Sequence, residues 1–145
     1  MTLEQVRLVP LPPIPSAGGR VLRALRCTDE GFVGFGEAYF SIVGHGVVKA
    51  WKQHQRMTSN LVVPYGRVRF VFYTPDAGSE FLVHEIGEGN YGRLTVPSGI
   101  WFGFQGLGEP HSIVLNVADL VHDPDECLTK ERDTIPFDWP ESEPT

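Results

Sequence analysis

The chain has 145 residues, 41% of them hydrophobic and 21% charged, and carries a formal net charge of -6. This is one domain of ordinary soluble composition, long enough to bury a core. The acidic balance excludes nonspecific DNA or RNA binding, while a local basic patch can still take a phosphate. No apolar run approaches the roughly 18 residues of a membrane span, and Met1 to Gln5 lacks the basic start of a secretory signal. Cys27 and Cys127 stand far apart without CxxC spacing. Two reduced thiols in a cytoplasmic protein are expected, with neither membrane nor nucleic acid as partner.

The 16 glycines and 12 prolines disfavour long helices. Val6 to Val9 reads as a short strand. Pro10, Pro12, Pro13 and Pro15 then force an extended arm that cannot donate ladder hydrogen bonds. Val21 to Cys27 alternates as a strand, Asp29 to Gly31 turns, and Phe32 to Val43 is aromatic and β-branched. Val47 to His54 follows the turn at Gly44 to Gly46. Leu61 to Tyr73 carries the strongest strand signal: Val68, Phe70 and Phe72 share one face, Arg67, Arg69, Val71 and Tyr73 the other, and Pro64-Tyr65-Gly66 turns before them. Glu80 to Ile86, Gly92 to Val96, Ile100 to Gln105 and Ser112 to Ala118 complete the strands, with one short helical turn expected within His122 to Lys130 and a frayed end over Glu141 to Thr145. Short strands at even spacing predict an all-β sandwich or barrel, here a small jelly roll.

The stretch Gly46 to Asn60, GVVKAWKQHQRMTSN, concentrates the chemistry. Strict alternation puts Ala50, Lys52 and His54 on one face and Lys49, Trp51 and Gln53 on the other. Lys52 reads as a general base, as a phosphate contact, or as a lysine paired with Glu37 or Asp119. His54 reads as an acid–base group or as a hydrogen-bonded structural histidine. His122, in the acidic turn His122-Asp123-Pro124-Asp125-Glu126, reads as a third acid–base candidate or a surface histidine. Lys49, Arg56, Arg67 and Arg69 are a local positive excess that suits a diphosphate. Tyr65 and Trp101 can stack on a base or sugar, or pack in a core or dimer contact. Asn60 and Asn116 are polar in apolar strands and need hydrogen-bond partners, either ligand or protein. No GxxxxGK[ST], GxGxxG or GxSxG occurs.

Two segments resemble the cupin superfamily. Lys52-Gln53-His54 stands at that family's His-x-His pair, with Ser59 near its acidic position and Gly66 at its glycine. Gly92, Pro97-Ser98-Gly99 and Phe102 stand at its second motif. Only His54 keeps a metal-ligand type, so the resemblance implies a cupin with no metal and no other cofactor. From about Asp29 to Trp139 the chain is similar to the dTDP-4-dehydrorhamnose 3,5-epimerase family and its epimerase and isomerase relatives. The likeness is carried by Asp29-Glu30-Gly31-Phe32, Gly46 to Lys52, Tyr65-Gly66, Val96 to Phe104, Asp123 to Glu126 and Ile135 to Pro140. It implies an RmlC-like cupin jelly-roll barrel over residues 1–145, with arm and first strands in 1–28, barrel in 29–119 and a C-terminal segment in 120–145. The family's catalytic histidine falls on Lys52 and its second barrel histidine on Phe102. Leu115 and Val121 lie near the places of its acid tyrosine, and no counterpart of its aspartate is expected.

Two functions remain open on these residues. One is a metal-independent epimerase or isomerase of a nucleotide-diphospho-4-keto-6-deoxy sugar in cell-surface polysaccharide biosynthesis. The other is a non-catalytic cupin that binds a nucleotide-sugar or carbohydrate. The resemblance also implies a homodimer to which residues 1–45 contribute.

Overall fold

The computed structural model describes residues 2–141, so the expectation for 142–145 lies outside the described residues. Two antiparallel five-stranded sheets face one another. The first runs in the order β1 (Arg7–Pro10), β9 (Gly92–Val96), β6 (Ser59–Tyr65), β11 (His111–Ala118), β4 (Glu37–Gly44). The second runs β12 (Cys127–Thr129), β5 (Val48–His54), β10 (Trp101–Gly106), β7 (Arg67–Tyr73), β8 (Leu82–Gly87). A small hairpin, β2 (Ile14–Ser16) with β3 (Gly19–Val21), stands apart. The described residues contain no helix long and apolar enough to cross a membrane.

The apolar faces meet between the sheets. Val43, Leu61, Val63, Leu94, Val96 and Val114 from the first sheet pack against Val68, Phe70 and Phe72 from the second. The chain crosses from β6 to β7 at Gly66 alone, whose φ of 80° suits glycine. A Cβ there would lie 2.3 Å from Ser112 Oγ. That hydroxyl is committed, accepting from Arg67 N and Gly108 N at 3.1 Å and donating to Arg67 O at 2.8 Å.

A second apolar cluster covers the outer face of the second sheet. Trp51, Val71 and Trp101 pack there under Ile135 and Trp139 of the C-terminal segment. Trp51 Nε1 donates to Arg132 O at 2.9 Å. Trp51 is also the surplus residue of a β-bulge: Lys52 pairs with Phe102, Ala50 pairs with Gly103, and nothing in β10 faces the residue between them. Its backbone pairs instead with Lys130, N to O at 3.0 and 3.1 Å. The bulge corrects the alternation expected for this strand. Ala50 joins Trp51 on the outer face, packed against the aromatic cluster, and Lys49 returns to the inner face opposite Phe104, with Lys52.

Val21 to Cys27 does not form the expected strand; only Gly19–Val21 pairs, and residues 22–36 lie outside both sheets. The outer face of the first sheet holds this segment by side chains rather than by a ladder. Arg93, 3% exposed, donates to Ala24 O at 2.9 Å and to Asp29 Oδ2 at 3.2 Å. Asn60 Nδ2 donates to Gly31 O at 3.0 Å, and Thr95 Oγ1 donates to Asn60 Oδ1 at 2.6 Å.

The buried indole of Trp51 is expected to be a main anchor of the C-terminal segment. Trp51→Ala should cost about 3–5 kcal/mol in urea denaturation. An unchanged midpoint would contradict its place in that packing.

Candidate active site

Between the edge strands β4 of the first sheet and β5–β12 of the second lies a cavity of about 330 Å³. Its first wall carries Tyr39, Ser41 and Asn116, with Leu61 and Val114 behind them. Its second wall carries Lys49, Lys52 and His54, with Phe102, Phe104 and Thr129. Register explains this division: Tyr39 faces Asn116 across β4–β11, while Lys52 faces both Phe102 and Thr129.

His54 is 9% exposed and its Nδ1 is hydrogen-bonded to Oε1 of Glu126, itself 3% exposed. The other carboxylate oxygen accepts three backbone N–H groups, from Gln55 and Arg56 at 3.0 Å and from Met57 at 3.1 Å. Burial pushes the Glu126 carboxyl up, but the hydrogen bonds from His54 and from the Arg56 and Met57 backbone outweigh it and hold the group below its ordinary value. An ionised carboxylate only accepts, so Nδ1 carries a proton and donates. In the neutral imidazole Nε2 is then the nitrogen that takes a proton. The turn Pro124–Glu126, capped by Asp123 accepting from Asp125 N at 2.9 Å, carries Glu126 under the end of β5. β12 then begins with Cys127 opposite His54.

Across the cavity, Asn116 Nδ2 donates to Tyr39 Oη at 3.0 Å. Asn116 Oδ1 is held by Asn60 N at 3.1 Å, which sets the amide's orientation. The phenol oxygen is thus an acceptor from Asn116, and its own proton is left to donate. Burial raises the Tyr39 pKa against the Asn116 hydrogen bond, so the phenol keeps that proton at neutral pH.

Of the residues singled out in the sequence, the cavity brings together Lys49, Lys52, His54 and Asn116. The others lie elsewhere. His122 is exposed, with its backbone N–H on Glu37 Oε1 at 2.9 Å. Arg56 is exposed and pairs with Asp123 at 3.4 Å. Asn60 points to the outer face and holds Gly31. Tyr65 is half exposed beside His111, at a different cleft. Arg67 and Arg69 lie on the outer side of the second sheet, both on Glu85, because that face of β7 points away from the barrel interior. Trp101 belongs to the outer aromatic cluster, with Lys130 Nζ 4.6 Å from its ring centre. Two residues escaped the sequence reading, Glu126 and Tyr39. Signals existed for both: an acid in a proline turn of the C-terminal segment, and Tyr39 with Ser41 as the polar positions of one face of an otherwise apolar strand. Among the described residues no group of three or more His, Cys, Asp or Glu side chains is placed to hold a metal ion.

The fold is a two-sheet jelly roll of the cupin type, and it sets an imidazole–carboxylate pair against a phenol across one cavity. The chain is 36% identical to a dTDP sugar isomerase from Desulfovibrio desulfuricans G20, over 94% of this chain and 91% of that one, with a TM-score of 0.87. It is 32% identical over 107 residues to a probable low-salt glycan biosynthesis epimerase of Haloferax volcanii, a stretch covering 70% of this chain and 66% of that protein. The dTDP-6-deoxy-D-glucose-3,5-epimerase RmlC of Legionella pneumophila shares the fold, with a TM-score of 0.82 at 15% identity over 99% of this chain and 82% of that one. No protein-family model matches the chain. The chain belongs to the family of dTDP-sugar isomerases and epimerases with the RmlC-like cupin fold.

The depressed Glu126 pKa fixes the sign of a pH effect. A carboxyl with a lower pKa folded than unfolded stabilises fully above the unfolded value and loses that contribution as pH falls through the folded one. The stability gap between wild type and Glu126→Gln should therefore be full at neutral pH and shrink below about pH 4.5, the ordinary value of the group. Urea titrations at neutral and acid pH read the gap, and a pH-independent gap would refute the ionised Glu126 carboxylate.

Proposed function

We propose that this protein is an epimerase of a nucleotide-diphospho-4-keto-6-deoxy sugar, dTDP-linked, serving cell-surface polysaccharide biosynthesis in the cytoplasm. The observation that carries the reading is the pairing of a Glu126-oriented His54 on one wall with Tyr39 on the other. A 4-keto group acidifies the adjacent C–H. His54 Nε2 removes that proton from one face of the sugar, and Tyr39 returns a proton to the opposite face, which inverts the carbon. The dTDP linkage and the polysaccharide setting rest on the similarity to a dTDP sugar isomerase and a glycan biosynthesis epimerase.

Solvent deuterium wash-in at C3 and C5 of dTDP-4-keto-6-deoxyglucose tests this reading. Wild type should incorporate deuterium at one or both carbons. His54→Gln should lose exchange by at least about 10²-fold. Tyr39→Phe should keep exchange at the carbon that His54 deprotonates and lose inversion there, because only the return of the proton to the opposite face is cut. Exchange with the carbonyl moved to C3 and no inversion would make the enzyme a ketoisomerase. Binding without exchange would make it a carbohydrate-binding module.

We also propose a homodimer. β4 is an edge strand whose outer face exposes Phe40 (66%) and Ile42 (63%), beside Leu115 and Ile113 of β11. A second copy covers such a face and removes the edge. Light scattering at micromolar concentration should give twice the chain mass, and Phe40→Asp with Ile42→Asp should shift it to the monomer. A wild-type monomer would end this reading.

A further inference from the structure

We infer that Asn116 is the positioning residue of the acid: it fixes the direction in which Tyr39 gives its proton, and with it whether an exchange event inverts the carbon. The inference rests on the proton-transfer reading above and names the side chain that makes one of its two proton sources directional. Tyr39 and Asn116 stand directly opposite one another on β4 and β11, so their side chains share the inner face. Asn116 is 4% exposed. Both polar atoms of its amide are engaged. Oδ1 accepts from Asn60 N at 3.1 Å, and Nδ2 donates to Tyr39 Oη at 3.0 Å and to Ser59 Oγ at 3.4 Å.

The backbone dictates which way round the amide sits. A main-chain N–H only donates, so the amide oxygen has to face β6 and the NH2 group has to face the phenol. The reversed amide would set N–H against N–H at Asn60. The Asn60 position is itself fixed from the outer side of the sheet, where its side chain donates to Gly31 O at 3.0 Å and accepts from Thr95 Oγ1 at 2.6 Å. A phenol oxygen that accepts from Asn116 does not donate to it. Its one proton therefore turns away from Asn116, toward the cavity that Tyr39 lines. The same hydrogen bond supports the phenolate formed when the proton leaves, since it opposes the rise in the Tyr39 pKa that burial causes.

The enolate has two proton sources, and Asn116 acts on one of them. The α C–H pair forms a C=C bond as the proton goes to His54 Nε2, and the carbonyl π pair moves to oxygen. Return of a hydrogen from His54, after exchange with solvent, re-forms C=O and restores the original configuration. Delivery from Tyr39 forms the new C–H bond on the opposite face and leaves the O–H pair on the phenolate oxygen, which accepts from Asn116. Phenolate and imidazolium then exchange one proton each with solvent, so no hydrogen is gained or lost over the cycle.

The test compares Asn116→Asp and Asn116→Leu, both close to asparagine in size, by the number of inversions per deuterium exchange event on dTDP-4-keto-6-deoxyglucose. The ratio cancels any change in His54 or in substrate binding. Aspartate accepts from Asn60 N as asparagine does, but it offers the phenol an oxygen in place of an N–H, so Tyr39 turns its proton onto the carboxylate. Inversion per exchange should fall by about 10²-fold, the contribution typical of one positioned acid. Leucine frees the hydroxyl to rotate and removes one hydrogen bond from the phenolate, a smaller loss of about tenfold. If Asn116 served only to satisfy Asn60 N–H, aspartate would match wild type and leucine would be the worst of the three, and that order would overturn the inference. Neutron diffraction of the wild-type protein needs no variant. The phenolic deuterium should point away from Asn116 Nδ2, and a deuterium directed at Asn116 would overturn the inference as well. Absence of exchange in wild type would instead remove the proton-transfer reading, and the role of Asn116 with it.

Discussion

The bulge in β5 is the constraint on which the site depends. One residue more than β10 can pair sends both Ala50 and Trp51 outward and returns Lys49 to the inside. Trp51 holds the distortion by filling a pocket between the second sheet and the C-terminal segment, where its indole donates to Arg132 O and its backbone exchanges hydrogen bonds with Lys130. Aromatic packing on the outer surface thus sets the number of cations in the cavity. Without the extra residue, the two lysines would face opposite ways.

Glu126 does a comparable job for His54. A carboxylate this deeply buried is costly unless its oxygens are satisfied. Here four donors satisfy it, three of them backbone groups of the turn that follows β5. The same contacts tie the 3-10 turn of the C-terminal segment to the end of the strand. Ring orientation, tautomer and local backbone are therefore coupled in one polar cluster, and the histidine is presented to the cavity with Nε2 as its free nitrogen.

The two sheets divide the chemistry because each contributes one wall. The second sheet brings the imidazole and the two ammonium groups; the first brings the phenol, supported by Asn116. Polar groups on the outside of the first sheet serve the fold instead. Arg93, Thr95 and Asn60 replace a strand ladder for residues 24–31, and Gly31 is required there because a Cβ would sit 2.6 Å from Thr95 Oγ1. Asparagines of similar sequence context, Asn60 and Asn116, thus serve opposite faces of one sheet.

The sequence by itself determined the all-β architecture, most strand positions and the inward face of Val68, Phe70 and Phe72, since period-2 alternation and turn residues are local properties. It also determined that Lys52 and His54 share a face, because no irregularity falls between them. Only the tertiary structure decided the rest. Alternation predicts a face only as far as the next bulge, so Lys49 was on the wrong side of the reckoning. Alternation also cannot say which residues line a cavity, which is why Arg67, Arg69, Asn60 and Trp101 read as site residues and lie outside this one. Glu126 and Tyr39 reach the site across 72 and 77 positions of sequence, to His54 and Asn116 respectively. Contacts of that span arise from sheet pairing, and no local pattern of residues encodes them.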